Sequence, residues 1–177
     1  MEFFDLIKER RSIRAFKKQA VEEEKIKKIL EAANSAPSAG NIQSYDIYLV
    51  KSQEKKELLS RAALNQDSVK DADFVLVFCA NMKKTIAKYG ARGTELYSVQ
   101  DATIACAYAQ LATTDLGLGS VWVGAFYERQ AGEAIGADLK FERPIIMLPV
   151  GYPIEKPGAT PRRQLKDLVH EEKKHKK

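Results

Sequence analysis

Residues 99 to 116, VQDATIACAYAQLATTDL, form a stretch of high helical propensity that is apolar around most of its circumference. A helix of that kind must be covered on nearly all sides, so it belongs in the middle of the molecule or in the middle of a dimer. The rest of the chain has to be arranged around it. Gly117 and Gly119 end the helix, and Val121 to Val123 are expected to begin a strand. A chain of 177 residues with 45% hydrophobic content can bury such a core and is short enough for one domain. We expect residues 1–170 to form that domain and residues 171–177 to form a flexible basic tail.

The flanking pattern alternates helix and strand. VEEEKIKKILEAAN places Ile26, Ile29, Leu30 and Ala33 on one helical face, and Pro37 and Gly40 follow its end. YDIYLV (45–50) and DFVLVFCA (73–80) read as strands separated by the helical EKKELLSRAAL. YERQAGEAIG returns as a short helix, and RPIIMLPVGYP is a final apolar strand. No internal repeat is present.

Charge and cysteine content exclude several roles. The net charge is +5, but Lys173, Lys174, Lys176 and Lys177 supply four of those charges, so residues 1 to 172 are close to neutral. The basic balance thus belongs to the tail and argues against nucleic acid as the partner. No run approaches the ~20 apolar residues of a membrane helix, and the charged MEFFDLIKERR lacks a leader's apolar core. The expectation is a soluble, unexported, cytoplasmic protein. Cys79 and Cys106 read as small buried apolar residues. His170 and His175 are the only histidines, so no metal-ligand spacing and no Cys-His or Ser-His pair exists within the folded core. The glycines at 117, 119 and 124 follow a helix and precede a strand, the reverse of the dinucleotide fingerprint, and no phosphate-loop motif is present.

Four segments remain as carriers of chemistry. In RRSIRAF, residues 10–16, Arg10, Ser12 and Arg14 alternate and Arg11 adds a third guanidinium, a set suited to phosphate oxygens. The same residues read equally as a basic cluster capping the C-terminal end of helix one. APSAGNIQ combines Pro37, Ser38 and Ala39 with the amides Asn41 and Gln43, a loop that can approach a planar ring or simply connect a helix to a strand. LNQDSVKDA offers Asn65 and Gln66, and ATPRRQL offers Arg162 and Arg163; both also read as solvated loops.

Together, RRSIRAF, APSAGNIQ, the Asp-led Ala-rich helix running into GLGSVWVGAF, LPVGYP, and a late PRR followed by LKDLVH resemble the nitroreductase family of flavoproteins over nearly the whole chain. The resemblance implies an α+β fold, a central mixed sheet flanked by helices, and a homodimer with FMN at its interface. It implies that Arg10, Arg11, Ser12 and Arg14 meet the flavin's phosphate, ribityl chain and pyrimidine edge, with Arg162 and Arg163 completing the phosphate site. Pro37, Ser38, Ala39 and Asn41, with Gln43 behind them, would come from the partner subunit. Asn65 or Gln66 would reach the pyrimidine edge, and a backbone N–H at Gly124 or Ala125 would donate to N5. NADH or NADPH would be the donor and a small oxidant the acceptor, with no catalytic side chain required. Two alternatives stand beside this reading: a flavoprotein of the same fold that dehalogenates, oxidises or converts flavin, and a nucleic-acid-binding module. Gln164 and the tail HEEKKHKK depart from the family's usual ending, and only residues 81–98 are available as a lid.

Overall fold

The computed structural model describes residues 1–172, so most of the basic tail at 171–177 lies outside the described residues. In chain order the elements are α1 (Phe3–Glu9), α2 (Glu23–Asn34), β1 (Tyr45–Val50), α3 (Gln53–Ala62), α4 (Asp67–Asp71), β2 (Phe74–Asn81), α5 (Met82–Arg92), α6 (Ser98–Asp115), β3 (Gly119–Ser120), α7 (Glu128–Ile135) and β4 (Glu142–Gly151). The strands form one sheet in the order β1-β2-β4-β3, and every pair is antiparallel. The mixed character expected of the sheet is confined to one parallel bridge, between Ser12 and Ser120.

Strand β2 is buried along its whole length, and its period-two alternation divides the molecule into layers. Phe74, Leu76 and Phe78 face α2 and α6, joined by Ile146, Leu148 and Val150 of β4. Val75, Val77 and Cys79 face the other way, against Leu59 and Ala62 of α3, Val69 of α4, and Ala131 and Ile135 of α7. Each large side chain buried in these layers contributes about 1.5–3 kcal/mol. Cys79 and Cys106 are both wholly buried, and burial pushes the Cys79 thiol up to about 12.

The apolar helix expected at 99–116 is α6, and one chain covers only one of its sides. Ala102, Ala105, Cys106, Ala109 and Thr113 are completely buried, and their small volumes let α2 pack close. Ile104 and Leu111 are half-buried, and Tyr108 is 42% exposed. Gly117, with φ of 74°, ends α6: its N–H donates to Thr114 O and that of Leu118 to Thr113 O, both at 3.0 Å.

The strand expected at Val121–Val123 requires correction. Pairing occurs at Gly119–Ser120 and then resumes only as a bridge from Val123 to Met147. The register is constant, Gly119 with Gly151, Ser120 with Val150 and Val123 with Met147, which sets Pro149 opposite Val121. Proline has no N–H to give, so the ladder breaks there. Val121 and Val123 stay buried because the period-two alternation persists through the break.

Candidate active site

Helix α1 stops at Glu9, and the Arg10 N–H closes it by donating to Leu6 O at 3.0 Å. The Arg11 guanidinium donates to Lys8 O and, at 2.9 Å, to Arg10 O. For Arg11 the capping reading therefore describes the geometry. Beyond it the chain is extended. Ile13 N donates to Ser120 O at 2.9 Å, Ile13 and Phe16 are buried, and the alternation turns Ser12 and Arg14 outward. Glu155 Oε1 accepts the N–H groups of Arg14 at 2.6 Å and Ala15 at 3.3 Å, pinning the segment from its other side.

Gly119 is what lets this segment lie down. A Cβ there would come within 2.7 Å of Ile13 Cγ2 and 2.9 Å of Ile13 Cβ, and Ile13 is itself buried, so one of the two must shift. Gly119→Ala should cost about 1–3 kcal/mol of overpacking and lift Ser12 off its bridge. The expected result is a lower melting temperature together with weaker ligand retention; a variant that matches wild type in both would show that Ile13 does not anchor the arginine segment.

Arg10 is partly buried, and its pKa is lowered first by that burial and then by the positive charges of Arg162 and Arg11. Two arginines at opposite ends of the chain thus lie close enough to repel. Among the described residues none of Arg10, Arg11, Arg14 and Arg162 forms a salt bridge with a carboxylate. Arg162 is held by its own turn, donating to Thr160 Oγ1 at 2.6 Å and to Pro161 O at 3.1 Å. Guanidiniums that form no ion pair of their own fit a phosphate, whose oxygens accept several charge-assisted hydrogen bonds at once. Arg163 takes another course: its guanidinium donates to Asp167 O in the following turn, and among the described residues no hydrogen bond joins it to Arg10, Arg11 or Arg14.

Two further segments lie near each other. Leu64 and Asn65 are consecutive left-handed residues, with φ of 58° and 61°. That backbone costs roughly 1–2 kcal/mol per non-glycine residue, less for Asn. It is held by Asn65 N donating to Ser60 O and by Ser60 Oγ donating to Gln66 O, each at 2.9 Å. The Gln66 side chain then reaches Ala125 O at 3.4 Å, tying the 65–66 turn to the 124–125 segment. Gly124 and Ala125 are exposed, and among the described residues their N–H groups meet no acceptor. Gln66 thus bonds to the protein itself, while Asn65 is free to face a ligand.

The loop from Pro37 to Ser44 is built differently. Gly40, Asn41 and Gln43 all have positive φ, at 57°, 56° and 54°. Ser38 Oγ accepts the N–H of Gln43 at 3.0 Å, and the Gln43 amide donates to Asn41 Oδ1 at 3.0 Å. Asp101, on the first turn of α6 and only 2% exposed, accepts from Ala39 N at 2.9 Å and Ser44 N at 3.2 Å, and from Ser44 Oγ at 2.5 Å. Pro37, Ser38 and Ala39 line a cleft with Tyr97 and Ile104. Within one chain the loop makes no hydrogen bond to residues 10–14, 65–66 or 124–125 among the described residues.

Sequence reasoning missed Asp101, Gly119 and Glu155. Asp101 had a signal: the pattern assigns position 101 to the buried face shared by 102, 105 and 109, and a buried acid needs donors. Glu155 had none, because its partners are backbone N–H groups 140 residues away in sequence.

The sequence matches the nitroreductase family model over residues 7–152. A protein of Methanothermobacter thermautotrophicus is 33% identical over 161 residues, 89% of this chain and 81% of its own length. An FMN reductase [NAD(P)H] of Bacillus subtilis is 31% identical over 176 residues, 92% of this chain and 70% of its own. Among solved structures, the NADPH:FMN oxidoreductase of Vibrio harveyi complexed with NAD+ superposes with a TM-score of 0.87 at 26% identity, over 98% of this chain and 78% of that one. With the family model matching most of its length and relatives above 30% identity covered over most of theirs, the chain belongs to the nitroreductase family.

Proposed function

We propose that this protein is an FMN-dependent oxidoreductase that accepts hydride from NADH or NADPH and passes it to a small-molecule oxidant such as a nitroaromatic, a quinone or a flavin. The carrying observation is that Arg10 lies within electrostatic reach of both Arg11 and Arg162, while among the described residues none of the three guanidiniums forms a salt bridge. The names of the B. subtilis and V. harveyi proteins support the same cofactor and donor.

FMN, when bound, supplies the hydride-accepting centre. Arg10, Arg162 and Ser12 hold its phosphate and ribityl chain, with Arg11 adding positive field from its capping position. Arg14 and Asn65 would hold the pyrimidine edge, where a guanidinium would offer positive charge. The N–H groups of Gly124 and Ala125 donate to the ring, and Gln66 keeps that peptide oriented through Ala125 O. Arg163, bonded to Asp167, is left outside this set. Pro37, Ser38, Ala39, Asn41 and Gln43 serve the flavin of a partner subunit. No side-chain acid or base is required.

The homodimer in this reading is supported by apolar surface that one chain leaves open. Helix α1 has no buried residue; Phe4 is 74% exposed, and Tyr108 lies outward on the neighbouring α6. Leu165, Leu168 and Val169 are also exposed on the C-terminal arm. A second copy covers such a surface better than solvent does. Tyr108→Glu should leave the fold intact and yield a monomer that holds FMN at least tenfold more weakly, since a desolvated interface aromatic contributes about 2 kcal/mol or more. Light scattering and flavin titration check this; a dimer with the wild-type flavin content would contradict it.

Residues 1–170 act as one domain in this account. No helix among the described residues is long and apolar enough to cross a membrane, and the nicotinamide donor supports a cytoplasmic setting. Steady-state NADH and NADPH oxidation with a quinone, a nitroaromatic or free FMN as acceptor tests the function. Acceptor-dependent turnover that requires bound FMN is expected; no turnover with any acceptor after FMN reconstitution would count against it.

A further inference from the structure

We infer that Asp101 is a positioning residue for the flavin: from inside α6 it fixes the loop Pro37–Ser44 in the one conformation that presents Asn41 and Gln43 outward. The inference rests on the flavin-binding reading proposed above and adds to it a residue that does not touch the ligand.

Three observations converge on Asp101. It is buried, at 2% exposure, yet among the described residues no Lys or Arg forms a salt bridge with it. All three of its hydrogen bonds come from one short segment, Ala39 N to Oδ1 and Ser44 N and Oγ to Oδ2. Between those anchor points lie the positive-φ residues Gly40, Asn41 and Gln43. Strained backbone of that kind persists only where its surroundings over-determine it, and it collects at functional sites. Ser44 is wholly buried beside the carboxylate, while Asn41 between the anchors is exposed. The carboxylate therefore grips both feet of an arch and leaves its crown to solvent.

A carboxylate is required because all three partners are donors. An amide of the same shape offers one acceptor oxygen and sets its NH2 against either Ala39 N–H or Ser44 N–H. Asp101→Asn should consequently free one foot of the arch while leaving the volume of the core unchanged. The helix that carries Asp101 also carries Tyr108, so the clamp references the loop to the same element that this account places against the partner subunit.

The test compares wild type, Asp101→Asn and Ser44→Ala as reconstituted holoenzymes. Measured are FMN affinity by fluorescence quenching, the visible circular dichroism of bound flavin, the oligomeric state and the melting temperature. Asp101→Asn is expected to raise the FMN dissociation constant by about ten- to a hundredfold, the equivalent of losing one hydrogen bond to a charged group, and to change the flavin dichroism. Ser44→Ala, which removes one neutral donor and keeps the backbone bond, should change both in the same direction by a smaller factor. Wild-type affinity and dichroism in Asp101→Asn, with or without a lower melting temperature, would overturn the inference and leave a merely structural acid. If Asp101→Asn does not fold, the Ser44→Ala measurement decides by the same criterion. A wild type that takes up no FMN would overturn the functional reading and this inference together, whereas a flavin-binding wild type beside an indistinguishable variant overturns the inference alone.

Discussion

Arg10→Ala is expected to weaken FMN binding by roughly ten- to a hundredfold without destabilising the free protein. One hydrogen bond to a charged group contributes about 1.5–3 kcal/mol, and each 1.4 kcal/mol is tenfold in affinity. The second half of the expectation distinguishes a site residue from a structural one. Arg10 is partly buried, and its charge is opposed first by that burial and then by Arg162 and Arg11, so the free protein carries it at a cost. Its removal relieves repulsion, and the melting temperature of the flavin-free protein should stay the same or rise. Arg11→Ala is the control. Its guanidinium already serves the carbonyls of Lys8 and Arg10, so its loss should lower affinity less and loosen the end of α1. Flavin titration and thermal melting of the three proteins check the argument; equal affinity of Arg10→Ala and wild type would mean that the phosphate sits elsewhere.

Ala105→Glu has the largest expected effect on the chain itself. Ala105 is completely buried in an apolar cluster with residues of α2 and the sheet. Burying an unpaired charge costs several kcal/mol and the added volume a further ~1–3, against a total stability of about 5–15 kcal/mol. The variant should be recovered as aggregate, and Ala109→Glu should behave alike. Tyr108→Glu, three residues along but on the open face of the same helix, should instead stay folded. A soluble Ala105→Glu protein with wild-type circular dichroism would show that α6 is not the core helix.

The contrast between those substitutions marks how far the sequence could be read. Composition showed α6 to be apolar all round, and the structure places one side against the sheet while the other stays open. Periodicity cannot divide such a helix between its own chain and a neighbour, because both sides demand the same residue types. Helix α2 was legible from its 3.6-residue period and the turn signal at its end, and β1 and β2 from their runs of β-branched and aromatic residues. Strand β3 was misjudged because Val121 and Val123 report burial, whereas pairing was decided by Pro149 on a strand nearly 30 residues away.

The candidate site was legible where charge was concentrated and opaque where geometry depends on contacts distant in sequence. RRSIR read equally as an anion site and as a helix cap, and its own letters could not separate Arg11, turned back onto α1, from Arg10, which lies within electrostatic reach of Arg162. The doubled arginine at 162 and 163 hid the same division. Glu155 holds Arg14 across 141 positions, and Asp101 holds Ala39 across 62, contacts that only the folded chain defines.

The central claim is that the arginine cluster holds a reducible flavin. The most direct test is the visible absorbance spectrum of the purified protein after reconstitution with FMN and gel filtration, recorded before and after anaerobic addition of NADH or NADPH. Retained flavin bands that bleach on addition of a nicotinamide are the predicted result. A colourless protein that emerges free of FMN would contradict the account and return RRSIRAF to a basic cluster at the end of a helix.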